Sequence, residues 1–250
     1  MKRASFYLLW MSLLLIVLFV VYFFTRQQTD QPAQQQLVTE ESSEPEIEQG
    51  CESVANSDDQ SFLSICHFAV HSDLPMYTFH LNGDKTTNIV ETISVFTNDL
   101  EPLQILQAEM DEPPISNMNF FSTEDANFDG YQDLKLLYHW GATGNTYYHY
   151  WLFDPAAQTF QRTTSFDELS NPTLFPETKT ISTFSAGGMA GCIYFNGTYA
   201  IDAEGNLSLL YSEGQDWVDE TTFEKTITKV IDGKPQVHTE PGQCGNEEDL

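Results

Sequence analysis

The stretch Asp125-Ala126-Asn127-Phe128-Asp129-Gly130-Tyr131-Gln132-Asp133 constrains this chain more than any other. Oxygen-bearing side chains fall at its first, third, fifth and ninth positions, and Gly falls at its sixth. Such spacing turns alternate carboxylate and amide oxygens toward one point, the arrangement of a calcium loop. Gly130 permits the sharp bend that offers the Tyr131 backbone carbonyl. Position twelve is Leu136 where a helix–loop–helix calcium site has a bidentate Glu, and the flanking residues read as strands. The loop therefore joins β-strands. Its ion-free alternative is an Asx-type turn. In that state three carboxylates crowd together, and at least one pKa rises.

The residues around the loop carry the same signal. From Phe62 onward aromatic and β-branched residues dominate, and turn residues recur between short runs. Runs at Tyr77–Leu81, Ile89–Thr97, Leu134–Trp140, Thr146–Phe153, Thr159–Thr164, Thr180–Phe184, Ile193–Phe195, Thr198–Ile201, Leu207–Tyr211, Thr222–Ile231 and Pro235–Thr239 read as strands. Pro102–Met110 reads as a strand or a single helical turn. Alternation along Thr146–Phe153 puts Tyr148, Tyr150 and Leu152 on one face and Tyr147, His149, Trp151 and Phe153 on the other. No long amphipathic helix follows residue 26. The predicted fold is all-β, either a small β-propeller-like domain of four blades or a curved β-meander.

Ahead of this domain, Met1-Lys2-Arg3 precedes an apolar run from Phe6 to Phe24. At about 1.5 Å per helical residue, the run spans a hydrocarbon layer roughly 30 Å thick. No small-residue cleavage site follows it. The reading is an uncleaved signal anchor over 1–26, a transmembrane helix with its amino terminus cytoplasmic because Lys2 and Arg3 outnumber Arg26. In a Gram-negative cell this places the helix in the inner membrane and the remainder in the periplasm. Residues 27–61 are rich in Gln and Glu, with few large apolar side chains, and read as a disordered tether. The β domain is expected over 62–244, with an acidic tail over 245–250.

Cysteine usage agrees with an oxidising compartment. Cys51, Cys66, Cys192 and Cys244 contain no CxxC pair, so a zinc ribbon or thioredoxin motif is excluded. Three pairings are possible in principle; Cys51–Cys66 with Cys192–Cys244 closes the shorter loops and is preferred.

Charge limits the partners. The chain has 37 Asp plus Glu against 10 Lys plus Arg, a net charge of −27. Nucleic acid and anionic lipid surfaces need Lys and Arg, and are excluded as partners. Metal cations and basic proteins remain.

The loop resembles the DxDxDGxxD calcium loops of integrin-type (FG-GAP or VCBS) propeller blades. That resemblance implies the ligand set Asp125, Asn127, Asp129, the Tyr131 carbonyl and Asp133, with calcium in a structural role. More broadly, the order NFDGYQDL, NTYYHYWLFDP, TFQRTTSFDEL and YAIDAEGNLSLL resembles periplasmic calcium-binding β-propeller proteins of the lysozyme-inhibitor-like immunity family. The resemblance covers roughly 115–215 and implies inhibition of a basic lytic enzyme such as a muramidase. Candidate contact loops are Gly141–Asn145, with Gly141, Thr143 and Asn145, and Ser185–Gly191, with Ser185 and Met189. The alternative function is a non-catalytic interaction or structural module of the envelope.

Enzyme chemistry has no matching motif. Gly187–Gly191 lacks the Lys of a phosphate loop, and G-x-S-x-G is absent. His67 and His71 would share a face on a helix and could bind zinc, but no Glu stands between them.

Overall fold

A computed structural model describes residues 49–54, 61–84, 87, 89–97, 101–110, 120–219 and 222–244. The expected anchor, most of the expected tether and the acidic tail lie outside the described residues. Among those described, no helix is long and apolar enough to cross a membrane.

Among the described residues, fifteen strands form three antiparallel sheets in simple up-and-down order. The first sheet has five: β1 (Gly50–Val54), β2 (Ser61–Ala69), β3 (Met76–Asp84), β4 (Ile89–Phe96) and β5 (Gln104–Gln107). The second has four: β6 (Phe121–Glu124), β7 (Asp133–Trp140), β8 (Thr146–Asp154) and β9 (Thr159–Thr163). The third has six: β10 (Thr173–Phe175), β11 (Thr180–Gly188), β12 (Ile193–Ile201), β13 (Leu207–Asp219), β14 (Thr222–Ile231) and β15 (Lys234–Gly242). A 3-10 turn, Met189–Gly191, joins β11 to β12.

The all-β expectation holds. A ring of four blades does not form among the described residues: the sheets number three and are unequal in strand count, and no closed barrel or propeller arises. The third sheet grew at the expense of predicted turns. Ile193–Phe195 and Thr198–Ile201 read as two separate strands, yet Asn196-Gly197 between them continues the one strand β12. A Cβ on Gly197 would stand 3.0 Å from Thr183 Cγ2 and 3.1 Å from Phe195 Cε1. Glycine is there to let neighbouring side chains close over the strand. Residues 50–54, placed in the tether by composition, form the edge strand β1. There Cys51 stands opposite Cys66 in register, and the two form a disulfide. Cys192 and Cys244 form the second, so both preferred pairings are present.

The four-stranded sheet is buried on both faces, which its near-continuous apolar strands require. Trp151 and Phe153 of β8 pack with Phe79, Leu81, Ile93 and Phe160 in the larger core. Tyr150 and Leu152 point the other way, into a second core with Phe128, Phe166 and Ile181. The alternation read from the sequence thus assigns each face of β8 to a different core. A polar cluster closes one end. Buried His149 reaches Asp167 Oδ1 at 3.1 Å and the Glu109 carbonyl at 3.1 Å, while Arg162 donates to both Asp167 oxygens at 2.8 and 2.9 Å.

Since β8 serves both cores, its large side chains should dominate stability. Trp151→Ala is expected to cost about 3–5 kcal/mol in denaturant unfolding. Val237→Ala, on the exposed β15, is expected to change it by less than about 0.5 kcal/mol. Comparable losses for the two variants would contradict the layer assignment.

Candidate calcium loop and the loop end beyond it

The acidic loop is the connection between two antiparallel strands. Glu124 ends β6 and stands opposite Asp133, which opens β7, so residues 125–132 are closed at their base by the ladder itself. Inside the loop, side chains cap the backbone. Asp125 accepts from Asp129 N and Gly130 N, both at 3.0 Å. Asp129 Oδ1 accepts from Tyr131 N at 2.9 Å, and Asp129 Oδ2 from Asn127 Nδ2 at 3.0 Å. Gly130, with φ 96, supplies the left-handed bend that the sequence assigned to it.

Asp133 is the anchor. It has no solvent exposure. Its Oδ2 accepts from Ala126 N and its Oδ1 from Phe153 N, each at 2.8 Å. Burial pushes its carboxyl up to about 7, against the pull of those two amides, and Asp129 and Asp125 add repulsion. One carboxylate of the turn is raised as expected, but burial is the main cause and repulsion from Asp129 and Asp125 the smaller one.

The loop also reaches all three sheets. Gln132 N donates to Val70 O at 2.8 Å, beyond the end of β2. Asn127 Nδ2 donates to Ala203 O at 3.2 Å, in the turn between β12 and β13. Lys179 Nζ donates to Phe128 O at 3.2 Å, just before β11. Tyr131 stacks on Phe153 at 5.5 Å and lies 4.7 Å from the His71 ring. The Asn127–Ala203 contact spans 76 residues, and no local sequence signal announces it.

Asp125, Asn127, Asp129 and Asp133, the side chains that would hold calcium, are gathered in one turn and match the ion by donor type, and here their oxygens accept hydrogen bonds from the loop's own amides and from Phe153 N. Among the described residues, no three His, Cys, Asp or Glu side chains form a metal cage by themselves. Zinc at His67 and His71 fails on geometry. His67 lies within β2, bonded to Thr78 Oγ1 at 3.0 Å, and no helix places it beside His71.

At a separate site, the two candidate contact loops meet. The Gly141–Asn145 turn closes through Gly141 N to Asn145 O at 2.7 Å. Asn145 then bonds the Ala186 backbone in both directions, donating to its carbonyl at 3.0 Å and accepting from its amide at 2.9 Å. Asn171, absent from the sequence reading, reinforces the junction by donating to Phe184 O at 2.9 Å and accepting from Thr146 N at 3.1 Å. Thr143 is exposed on this end. Ser185 and Gly187, read as part of the contact loop Ser185–Gly191, instead belong to β11; only Met189–Gly191 turns. Met189 is 53% exposed and Trp140 41%.

No family model matches this chain, and no curated protein matches it. A solved structure described as a Xanthomonas type IV secretion system related protein is similar, with TM-score 0.47 and 19% identity, over 77% of this chain and 95% of that one. A likeness this loose carries no argument about function.

The Asp133 pKa fixes a sign. Its folded value, about 7, lies above the ordinary 3.8, so the folded state holds this proton more tightly than the unfolded chain does. In chelated protein, that contribution is complete below about pH 3.8 and is lost as pH rises through about 7. Melting temperature in chelator should therefore fall between about pH 5 and about pH 8, millimolar calcium should remove the fall, and Asp133→Asn should flatten it. Identical melting at about pH 7.5 with and without chelator would contradict the calcium assignment.

Proposed function

We propose that this chain is a membrane-anchored periplasmic protein, stapled by calcium, that binds and inhibits a cell-wall-lytic enzyme. The observation that carries the reading is the junction of the two loops. Asn145 locks the Gly141–Asn145 turn to the strand that leads into Met189, so two sequence-distant segments meet. Left-handed Met189 and Ala190, with φ 52 and 54, hold the second loop in a fixed conformation. A pre-ordered pair of loops loses little entropy on binding a partner.

Charge supports the same partner. With a net charge of −27, the protein attracts basic enzymes and repels nucleic acid and anionic lipid. Calcium has an indirect part in this reading: it holds the base of β7 and β8, whose far end carries Gly141–Asn145. The resemblance of residues 115–215 to lysozyme-inhibitor-like immunity proteins points the same way.

Turbidity clearance of peptidoglycan by a panel of basic muramidases and other lytic enzymes, with the purified full chain added, tests this. At least one enzyme should be inhibited. Met189→Ala or Thr143→Lys should weaken that inhibition about tenfold, equivalent to about 1.4 kcal/mol, with unchanged melting. No inhibition across the panel would overturn the proposal.

A further inference from the structure

The Met189–Gly191 turn has a backbone that its own residues do not favour. Gly188, Met189, Ala190 and Gly191 follow one another at φ 106, 52, 54 and 89. Left-handed backbone crowds any side chain, so Met189 and Ala190 hold it only where their surroundings over-determine it. On the entry side, Asn145 grips the Ala186 backbone in both directions. On the exit side, Cys192 N donates to Met189 O at 3.1 Å, which closes the turn on itself without tying it to the sheet. That tie comes from further along the chain.

Gln215, within β13, supplies it. The register places Gln215 between Tyr194 of β12 and Lys225 of β14, on one face of the six-stranded sheet. The residue is buried. Its Nε2 donates to Cys192 O at 2.7 Å and to Gln243 O at 3.2 Å, and its Oε1 accepts from Gln243 N at 3.1 Å. Cys192 and Cys244 are joined by the disulfide, so residues 192, 215, 243 and 244 form a closed ring of covalent and hydrogen bonds. Strands β12 and β15 are three strand spacings apart, roughly 14 Å in a flat sheet, yet the two cysteine Cα atoms are 5.0 Å apart. The chain beyond each strand end therefore turns inward over the face that carries Gln215. Gly242 leaves room for this: a Cβ there would stand 2.7 Å from Gln215 Oε1 and 2.8 Å from Phe223 Cβ.

We propose that this ring is a clasp that positions the Met189–Gly191 turn for its partner, with Gln215 as the positioning residue. The disulfide limits how far the turn can travel. Gln215 sets where it rests, because it holds the carbonyl of the residue that follows the turn. A strained turn fixed at both its entry and its exit loses little freedom on binding. A second amide of the same kind supplies the contrast. Gln104 of β5 bonds the Phe160 backbone of β9 in both directions, at 2.7 and 2.9 Å, and touches neither candidate contact loop. A general contribution to stability is common to both glutamines, and an effect on the turn belongs to Gln215 alone. The inference rests on the reading of Met189 as a contact residue, and it adds to that reading the group that sets the shape of the turn.

Native-state hydrogen exchange of the full chain in non-ionic detergent, read at the residue-192 amide that closes the turn, tests this. Gln215→Leu keeps the bulk and removes the amide, and should speed exchange there at least about tenfold, while the Ala186 amide on the entry side changes less than about twofold. Gly242→Ala crowds the clasp from the other side with Gln215 intact, and should speed residue 192 as well. Gln104→Leu should leave residue 192 within about twofold even where it lowers the melting temperature. Unchanged exchange at residue 192 in both Gln215→Leu and Gly242→Ala, or equal acceleration by Gln104→Leu, overturns the clasp. For a muramidase inhibited by the unaltered chain, Gln215→Leu should weaken inhibition about tenfold and Gln104→Leu less than about twofold. Equal inhibition by Gln215→Leu and the unaltered chain overturns the positioning role. If the unaltered chain inhibits no muramidase, the proposed function falls, and exchange at residue 192 alone decides the clasp.

Discussion

Asp133 is held where a carboxylate is hardest to keep. It has no solvent exposure, its two oxygens are bound by the Ala126 and Phe153 amides, and burial raises its pKa, with a smaller push from Asp129 and Asp125. Removing either amide partner would leave a buried charge uncompensated. Much of the remaining structure depends on that residue. It closes the acidic loop at its base, sets the start of β7 and fixes the loop to β8. From the same loop, contacts run to Val70, Ala203 and Lys179, so one short connection touches all three sheets.

The architecture explains why a connection of this kind is needed. The sheets are simple meanders, joined along the chain without strand exchange. The middle sheet packs a core on each face, and the aromatic side chains of β8 divide between them. Such layers are stable against sliding only where polar contacts cross from one sheet to the next. The loop supplies these at one end, and the His149–Asp167–Arg162 cluster, bonded to the Glu109 carbonyl, supplies them elsewhere. The two disulfides clamp the outer margins, one between β1 and β2 and the other between the start of β12 and the end of β15.

Local physics was legible in the sequence, and remote physics was not. The oxygen spacing of the loop, the bend at Gly130, the two faces of β8 and the extent of β14 follow from periodicity and turn chemistry within a few residues. The disulfide pairing followed from loop length. Other features depend on neighbours distant in the chain. Gly187 reads as part of a turn, Gly197 falls between two short strand runs and Gly214 lies past the run Leu207–Tyr211, but each sits within a strand, close to side chains of an adjoining strand. The runs read from the sequence are therefore shorter than β11, β12 and β13. Composition placed Gly50–Val54 in the tether, because an edge strand stabilised by pairing and a disulfide needs little apolar character of its own. Asn145 looked like a turn residue and is one, but its hold on Ala186 spans 41 residues. The number and size of sheets could not be counted from strand signals alone, so a four-bladed ring and three unequal meanders looked the same.

The central claim is that a calcium-filled loop ties the three sheets together. Native-state hydrogen exchange of the Ala126, Gln132 and Phe153 amides, at about pH 7 with calcium or chelator, tests it most directly. Calcium should slow exchange at all three together by at least about tenfold, since each donates to or beside the loop and opens with it. Protection unchanged by calcium at these amides would contradict the account.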